Sequence, residues 1–462
     1  MRSLVLSLGG LALLAACTDA PAPRDAGIET PAGWVRLADA GGDAPLATGP
    51  TVEIEQRWWR SFGDPALDRL IDEALAGNKT LAIAAARVEE AEAARRGAVA
   101  SLLPDISVAG SAGRGNQGYA SFNQPVGIGE ADLEASWELD IFGKNQARAA
   151  AAKAVLQSED ARRQAVTVSL LAEVARNYFE LRNAEEQIRI TEQNLVTERR
   201  TLDLIRAQQE GALSSELDVS RAAAQVATTS AQLPALRAQH AVTLDRLNVL
   251  MGLPPGTRDA ALAPDGPLQK LAPTVLVAAP AKVLANRPDI RAAERSLAAS
   301  AAQADAASKE LFPTISLSAL FGVQASSLYS ATPWGVGATL AQPLLDFGRI
   351  RSDIDAADAR QKQAFLSYQE TVLEALGDME DALTLYLNET SRQHDLREAA
   401  DRNRKAVDLA SQQYAAGYSG LLDLLVAQRD ELEAESSLAA SDARLRQNLV
   451  HIYAAAGGGW DL

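Results

Sequence analysis

Leu103-Pro104-Asp105-Ile106-Ser107-Val108 and Phe312-Pro313-Thr314-Ile315-Ser316-Leu317 are one phrase written twice. Phe142-Gly143-Lys144 likewise returns as Phe347-Gly348-Arg349. The copies stand 205 to 209 residues apart, far beyond the roughly 20 to 50 residues of a solenoid repeat. The chain is therefore one duplicated unit, in which a Pro-marked strand pair leads through Phe-Gly-Lys/Arg into a very long helix.

Working outward from the first copy, residues 130 to 140 alternate strictly. Ala131, Leu133, Ala135, Trp137 and Leu139 share one face, and Asp132, Glu134, Ser136, Glu138 and Asp140 the other, the period-2 signature of a strand. Ile106/Val108, Ile315/Leu317/Ala319/Phe321/Val323 and Trp334/Val336/Ala338/Leu340 follow the pattern more loosely. These segments approach the roughly 9 to 11 residues that a tilted membrane strand needs. A surface sheet on a soluble core gives the same alternation, so the pattern alone is a weak signal.

No Gly or Pro occurs from Lys144 to Glu210, so a helix can run there for about 100 Å at about 1.5 Å per residue. The second copy, Arg349 to Ala416, is interrupted only by Gly377. Val174, Leu181, Ile188, Leu195 and Leu202 repeat every seven residues; Val372, Leu376, Met379, Leu383 and Tyr386 alternate four and three. Such stripes call for neighbouring helices, and the segments are too charged to be membrane spans. Each long helix ends at a glycine, Gly211 or Gly417, and a further helix returns to Met251 or Ala456, forming an antiparallel hairpin whose tip lies far from the strands.

The 462 residues are rich in Ala and Leu but only 5% aromatic, a composition suited to close-packed helices. A net charge of −16, with basic residues interspersed among acids, argues against a nucleic-acid surface. Arg2 precedes a short apolar stretch ending Leu14-Ala15-Ala16-Cys17, which resembles a bacterial lipobox. Cys17 is the only cysteine. Cleavage before it and lipid on its sulfur is the expected processing; a signal peptide with an incidental cysteine is the alternative.

These readings divide the chain into a signal peptide at 1–16, a lipidated extended tether at 17–57 and a first repeat at 58–251, with strands over about 104–141 and a helical hairpin over 144–251. An equatorial linker at 252–275 follows. The second repeat, 276–457, has strands over about 313–346 and a hairpin over 349–456; a tail occupies 458–462. Asp64-Pro65 reads as a helix start and Gly77-Asn78 as its end.

Four strands cannot close a membrane barrel, and lipid offers no partner to an open edge. Identical copies must pool strands around a cyclic axis. Strand arithmetic admits a dimer, trimer or tetramer.

Trp59-Arg60-Ser61-Phe62-Gly63-Asp64-Pro65-Ala66-Leu67-Asp68, the Asn78 turn, Leu103-Pro104, Asn286-Arg287-Pro288-Asp289-Ile290-Arg291-Ala292-Ala293-Glu294 and Gly417 through Gln428 closely resemble the TolC-like outer-membrane efflux factors. The lipobox places the chain in their OprM- and NodT-like lipoprotein branch. The resemblance spans nearly all of the mature chain. It implies a mainly α fold with a membrane β part: a homotrimer whose twelve-stranded outer-membrane β-barrel, four strands per chain, continues into a long periplasmic α-helical barrel with a mixed equatorial belt. It also implies localisation in the outer membrane of a Gram-negative bacterium, extending into the periplasm. Thr18 follows the lipidated cysteine where Asp would favour inner-membrane retention, so outer-membrane delivery is permitted.

The implied function is passive export of small toxic molecules. They would arrive from an inner-membrane transporter, most often of the resistance-nodulation-division type, through a periplasmic adaptor. No enzyme activity, metal, nucleic acid or cofactor beyond the Cys17 lipid is expected. Leu422 matches a hydrophobic gate position and Asp423 an acidic constriction that symmetry turns into a cation-attracting ring. A helix N-terminal aspartate favoured by the dipole is the alternative for Asp423. Val426 replaces a second acid found in some relatives. The tips Gly211-Ala212-Leu213-Ser214 and Gly417-Tyr418-Ser419-Gly420 are expected to meet the adaptor, glycine permitting the reversal; ordinary turn chemistry explains the same residues. Asp132, Glu134, Glu138 and Asp140 are expected to face the lumen.

Gly113-Arg114-Gly115-Asn116-Gln117-Gly118 matches a dinucleotide fingerprint as a string, but Tyr119 to Pro125 do not open a helix to hold a pyrophosphate. His240, His394 and His451 are isolated. Two rival functions remain: a structural coiled-coil lipoprotein, which leaves the strand pairs idle, and a duct for ATP-driven protein secretion.

Overall fold

The computed structural model describes residues 26–40, 46–49, 52–115, 126–257, 275–326 and 329–461. Cys17 and the loop residues 116–125 lie outside them. In chain order the elements are α1 (Val35–Ala40), β1 (Leu46–Gly49), α2 (Pro65–Gly77), α3 (Lys79–Ala100), β2 (Asp105–Gly115), β3 (Val126–Leu139), α4 (Lys144–Glu210), α5 (Glu216–Ser230) and α6 (Gln232–Leu250). They continue with β4 (Val275–Ala278), α7 (Pro280–Asn286), α8 (Pro288–Ser308), β5 (Thr314–Ser326), β6 (Ser330–Ala331), β7 (Trp334–Ala341), α9 (Arg349–Ala415) and α10 (Leu421–Ala455).

The two long rods form as the absence of breakers requires, each 67 residues. Gly377 does not interrupt α9; its cost of about 1 kcal/mol relative to Ala is spread over a helix held by packing along its length. The return path of the first hairpin is broken instead, between α5 and α6. Pro234 stands in the first turn of α6 and cannot donate to the Ser230 carbonyl, which stops α5.

Packing concentrates halfway along both rods. Trp58, Leu67, Leu70 and Ile71 meet Leu171, Val174, Tyr178 and Phe179 of α4, Met379 and Leu383 of α9, and Leu449 and Val450 of α10 in one buried cluster. Asp64 caps α2 through the Ala66 N–H (3.0 Å) and receives the Tyr178 hydroxyl on its other oxygen (2.5 Å), fastening α2 to α4. The heptad residues Val174, Leu181, Leu195 and Leu202 are buried, with Ile188 half-buried.

Arg287 explains why Arg-Pro-Asp-Ile carries so much of the resemblance. Its guanidinium forks onto Asp289 (3.1 and 2.6 Å), reaches Asp378 of α9 (3.0 Å) and donates to the Ala455 carbonyl at the end of α10 (3.1 Å). One buried side chain thereby joins three helices. Arg291 lies over the Trp460 ring, 4.9 Å from its centroid.

The expected tether and tail differ from what is observed. Val35–Ala40 is helical, and β1 pairs in parallel with β4. Trp34 is buried and donates to the Ala278 carbonyl (2.9 Å), while the Glu380 carboxylate accepts the Val35 and Arg36 N–H groups at the start of α1 (2.7 and 3.1 Å). The segment from Ala26 onward is thus docked on α9 rather than extended. At the other end, the Trp58 indole donates to the Gly458 carbonyl (3.3 Å) and the Trp460 indole to that of Asn286 (3.1 Å), so the tail closes the core.

Candidate channel wall and periplasmic gate

The strands form one antiparallel sheet in the order β2-β3-β5-β7, with the two-residue β6 also on β5. Leu133 stands between Val108 and Phe321, Ala135 between Ile106 and Ala319, and Trp137 opposite Leu317. Phe321 in turn faces Trp334, and Ala319 faces Val336. This register brings these apolar residues of all four strands, though not Leu320, onto one face, and they are open: Ile106 is 68% exposed, Val108 78%, Trp334 75% and Val336 80%. A soluble sheet would hide such a surface.

The opposite face carries Ser107, Ser111, Glu130, Asp132, Glu134, Ser316, Ser318, Gly335 and Gly337. Ser111 donates to Glu130 (2.7 Å). The Asp132 carboxylate lies flat over Gly322, where an added Cβ would stand 1.8 Å from Oδ1. Glu138 and Asp140 depart from the expected acidic wall. Glu138 is paired with Lys144 (2.8 Å), and Asp140, beyond the end of β3, accepts the Asn145 and Gln146 N–H groups (2.9 and 2.7 Å). Their carboxylates anchor the first turn of α4, where the helix exposes unpaired donors. Asp346 does the same for α9 through Gly348 and Ile350 (3.1 and 2.8 Å).

At the far ends both rods stop in the same hydrogen-bonded reversal. Leu213 N–H returns to the Gln208 carbonyl (2.7 Å) and Ala212 N–H to Gln209 (2.9 Å); Tyr418 returns to Gln413 (2.8 Å) and Gly417 to Tyr414 (3.0 Å). This motif requires a left-handed residue one position past the cap. Gly417 supplies it with φ 74°, but in the first tip the left-handed residue is Ala212, φ 58°. Gly211, expected to permit the reversal, has φ −80° and serves as the ordinary cap. Leu213 and Tyr418 project at 83% and 87% exposure.

Asp218 and Asp423 occupy matching places after the two turns. Asp218 and Ser215 form a full capping box, whose hydrogen bonds hold the Asp218 carboxyl below its usual range. Asp423 accepts the Gly420 N–H (3.3 Å); Gly420 has no side chain to return the bond. Asp423 is therefore a helix-starting aspartate, and it is also exposed. Leu422 beside it is 54% exposed, whereas Leu421 and Leu425 are buried against Ile205. The Tyr414 hydroxyl donates to Gln208 (2.7 Å), and the Gln428 amide to Thr201 (3.1 Å), tying the second hairpin to α4 just above the tip.

Two acids above the tips were not singled out from the sequence. Glu198 is 2% exposed and accepts Gln225 (2.9 Å) and Thr229 (3.0 Å); burial raises its carboxyl above the usual range. Its signal is a charge in the buried stripe that includes Asn194, Thr201 and Ile205. Glu431 of α10 is pushed up to about 7, first by burial, then by Glu435 and Asp408, against the opposing pull of Arg404. Arg404 is bound to Glu435 (2.7 Å). Among the described residues no group of three or more His, Cys, Asp or Glu side chains is placed to hold a metal ion. Gly113, Arg114 and Gly115 are strand residues, not a phosphate-binding turn.

Two stability measurements follow. A Cβ in the left-handed region costs about 1 to 2 kcal/mol, so Ala212→Gly is expected to raise the thermal midpoint of helix unfolding and Gly417→Ala to lower it. Equal midpoints would remove the assignment of the left-handed position. For Glu431, the folded protein keeps the proton up to about pH 7 while the unfolded chain loses it near the ordinary 4.5. Its contribution is full below that value and lost as pH rises through about 7. Glu431→Gln should therefore change little at pH 4 and raise the midpoint at pH 8; the reverse order contradicts the raised pKa.

The sequence profile of the outer membrane efflux protein family matches residues 70–253 and 279–458. The pyoverdine export outer membrane protein OpmQ of Pseudomonas aeruginosa is 32% identical, the alignment covering 100% of this chain and 97% of that protein. The solved outer-membrane channel OprN superposes with a TM-score of 0.84 at 32% identity, over 94% of this chain and 98% of that one. The open state of the Neisseria gonorrhoeae MtrE outer membrane channel gives 0.78 at 28% identity, over 86% and 90%. With its open apolar sheet face, paired long rods and matching sequence, the chain belongs to the outer membrane efflux protein family.

Proposed function

We propose that three copies of this chain close a twelve-stranded barrel in the outer membrane and a continuous helical tube in the periplasm, through which small molecules leave passively. The carrying observation is the four-strand sheet with one open apolar face and two terminal edges, β2 and β7. In hydrocarbon those edges must find partners, and pooled strands are the available ones. Asp132 and Glu134 then face water inside the barrel, while Glu138 and Asp140 hold its junction with the helices. Cys17, outside the described residues, carries the lipid that holds the mature N-terminus at the membrane.

The tube does no chemistry. Energy and choice of cargo come from an inner-membrane transporter of the resistance-nodulation-division type, joined through a periplasmic adaptor that meets the tips at Leu213 and Tyr418. The similarity to a pyoverdine exporter over the whole chain favours small molecules over polypeptides, and the strand surface disfavours a purely structural rod. Leu422 and Asp423 form the narrow periplasmic entrance: three copies of an exposed Asp423 make an acidic ring, and Val426, one turn up and 37% exposed, leaves that ring single. Opening requires the hairpin α9–α10 to move from α4, at the Tyr414–Gln208 and Gln428–Thr201 bonds.

In a planar bilayer the purified protein is expected to give cation-selective conductance blocked by trivalent cations. Asp423→Asn should lower the selectivity and weaken the block. Absence of any conductance, including from variants with the Tyr414 and Gln428 bonds removed, would contradict the channel. Unchanged selectivity and block in Asp423→Asn would contradict the acidic ring alone.

A further inference from the structure

The internal duplication specifies the subunit interface residue by residue. Carrying the first copy onto the second needs an offset of 209 before the turn, as Pro104 to Pro313, and 205 after it, as Phe142 to Phe347. These offsets can be checked on strand register. Asp105 pairs with Ser136; the offsets convert that pair to Thr314 and Ala341, which is the observed pair between β5 and β7. The duplication therefore holds at the level of single hydrogen-bonded partners.

The sheet contains a second kind of junction, β3 against β5, where the first copy meets the second. Its equivalent, β7 against β2, has no place within one chain: β7 and β2 are the terminal strands. We propose that β7 of one subunit pairs with β2 of the next in the register that β3 and β5 display, resting on the trimer reading above. Glu134 opposite Leu320 becomes Thr339 opposite Ser111 of the partner subunit, and Trp137 opposite Leu317 becomes Gln342 opposite Val108 of the partner subunit. Thr339 and Ser111 both belong to the polar face, and Gln342, the residue after the end of β7, continues the row of positions that shares the face of Val108, so the two faces stay in step across the junction. A one-residue slip would invert them; slips of two would not, and it is the duplication that chooses among those. Below the strands, Phe142 stacks on Phe312 with centroids 4.9 Å apart. The counterpart sets Phe347, 100% exposed in one chain, against Leu103 of the partner subunit; Leu103 is 64% exposed.

The helices make the same case independently. α8 is packed between α4 and α9, whereas α3, its equivalent, packs chiefly on α4. Ala292, buried against α4, corresponds to Ile83, which is 55% exposed; Ala161 and Val168, buried on α4, correspond to Leu366 and Leu373 on α9, 53% and 57% exposed. The uncovered residues are those whose counterparts meet at the internal α4–α8 junction, so α3 of one subunit lies on α9 of the next. One polar contact is reversed in kind: Arg162 donates to Ser296 within the chain (3.2 Å), and the corresponding positions are Ser367 and Arg87. Arg87 of the partner subunit therefore donates to Ser367.

Opposed antiparallel residues stand at a separation that a disulfide bridges, which gives the test. Ser111→Cys with Thr339→Cys, purified from membranes and oxidised, is expected to run as a covalent trimer on a denaturing gel and as monomer after reduction. Either single variant, and the parent with Cys17, should run as monomer. Thr339 is then replaced as partner by Gly337 or Ala341, and light scattering of the unheated protein reports the assembly. A trimer in which Ser111→Cys links to position 337 or 341 rather than 339 overturns this register and leaves the trimer standing. A monomer or dimer overturns the trimer reading itself. Separately, Leu366→Asp is expected to reduce trimer yield while an Arg87→Ser, Ser367→Arg double exchange preserves it; a trimer indifferent to Leu366→Asp overturns the helical half of the interface.

Discussion

Everything in this molecule depends on what a sheet edge costs in hydrocarbon. Each unpaired backbone group there forfeits several kcal/mol, and one chain brings a sheet with two ends. Closure around a symmetry axis removes the ends and creates an inside at the same time. The polar face of serines, glycines and acids then needs no other explanation, because water is its neighbour. The rods inherit this symmetry: α4 and α9 start directly below the strands, held by Asp140 and Asp346, so a ring of strands must continue as a ring of helices. The buried cluster at mid-rod and the Arg287 fork brace the rods halfway along their length.

Much of this was legible in the sequence because it rests on short-range rules. Strand alternation fixed the two faces of β3, the lack of Gly and Pro fixed the length of α4, and the repeated motifs fixed the duplication. What escaped depends on single-residue register or on distant partners. Gly211 was the natural choice for a left-handed reversal, yet the helix runs one residue farther than that choice needs and passes the strained position to Ala212. Asp140 fits the alternation of β3 but follows its last residue, which turns a wall acid into a helix anchor. The low-complexity look of residues 26 to 49 hid Trp34 and its partners more than 240 residues away. Pro234 breaks the return helix between α5 and α6, a consequence that hairpin closure does not reveal, since closure demands no straight helix.

The two repeats have kept one architecture and divided the labour. The first tip is closed by a full capping box on Ser215 and Asp218. The second has glycine where the first has serine, so Asp423 is held by a single bond and remains exposed. The polar ties from α9 and α10 to α4, at Gln208 and Thr201, are the side-chain bonds that fasten this less constrained tip to its neighbour. A tip held by a few neutral hydrogen bonds, each worth about 1 kcal/mol net, and by the small apolar contact of Leu421 and Leu425 with Ile205 can be released by a partner that contacts it.

The central claim is that copies of this chain enclose a continuous water-filled lumen from outer membrane to periplasmic tip. An electron-microscopic reconstruction of the purified protein in lipid nanodiscs, computed without imposed symmetry, tests it most directly. The account predicts three-fold density with a twelve-stranded ring in the disc, an empty axis, and a tube of paired helices narrowing at Leu422 and Asp423. Rods of paired helices beside the disc, or a ring filled by side chains with no axial lumen, would contradict it.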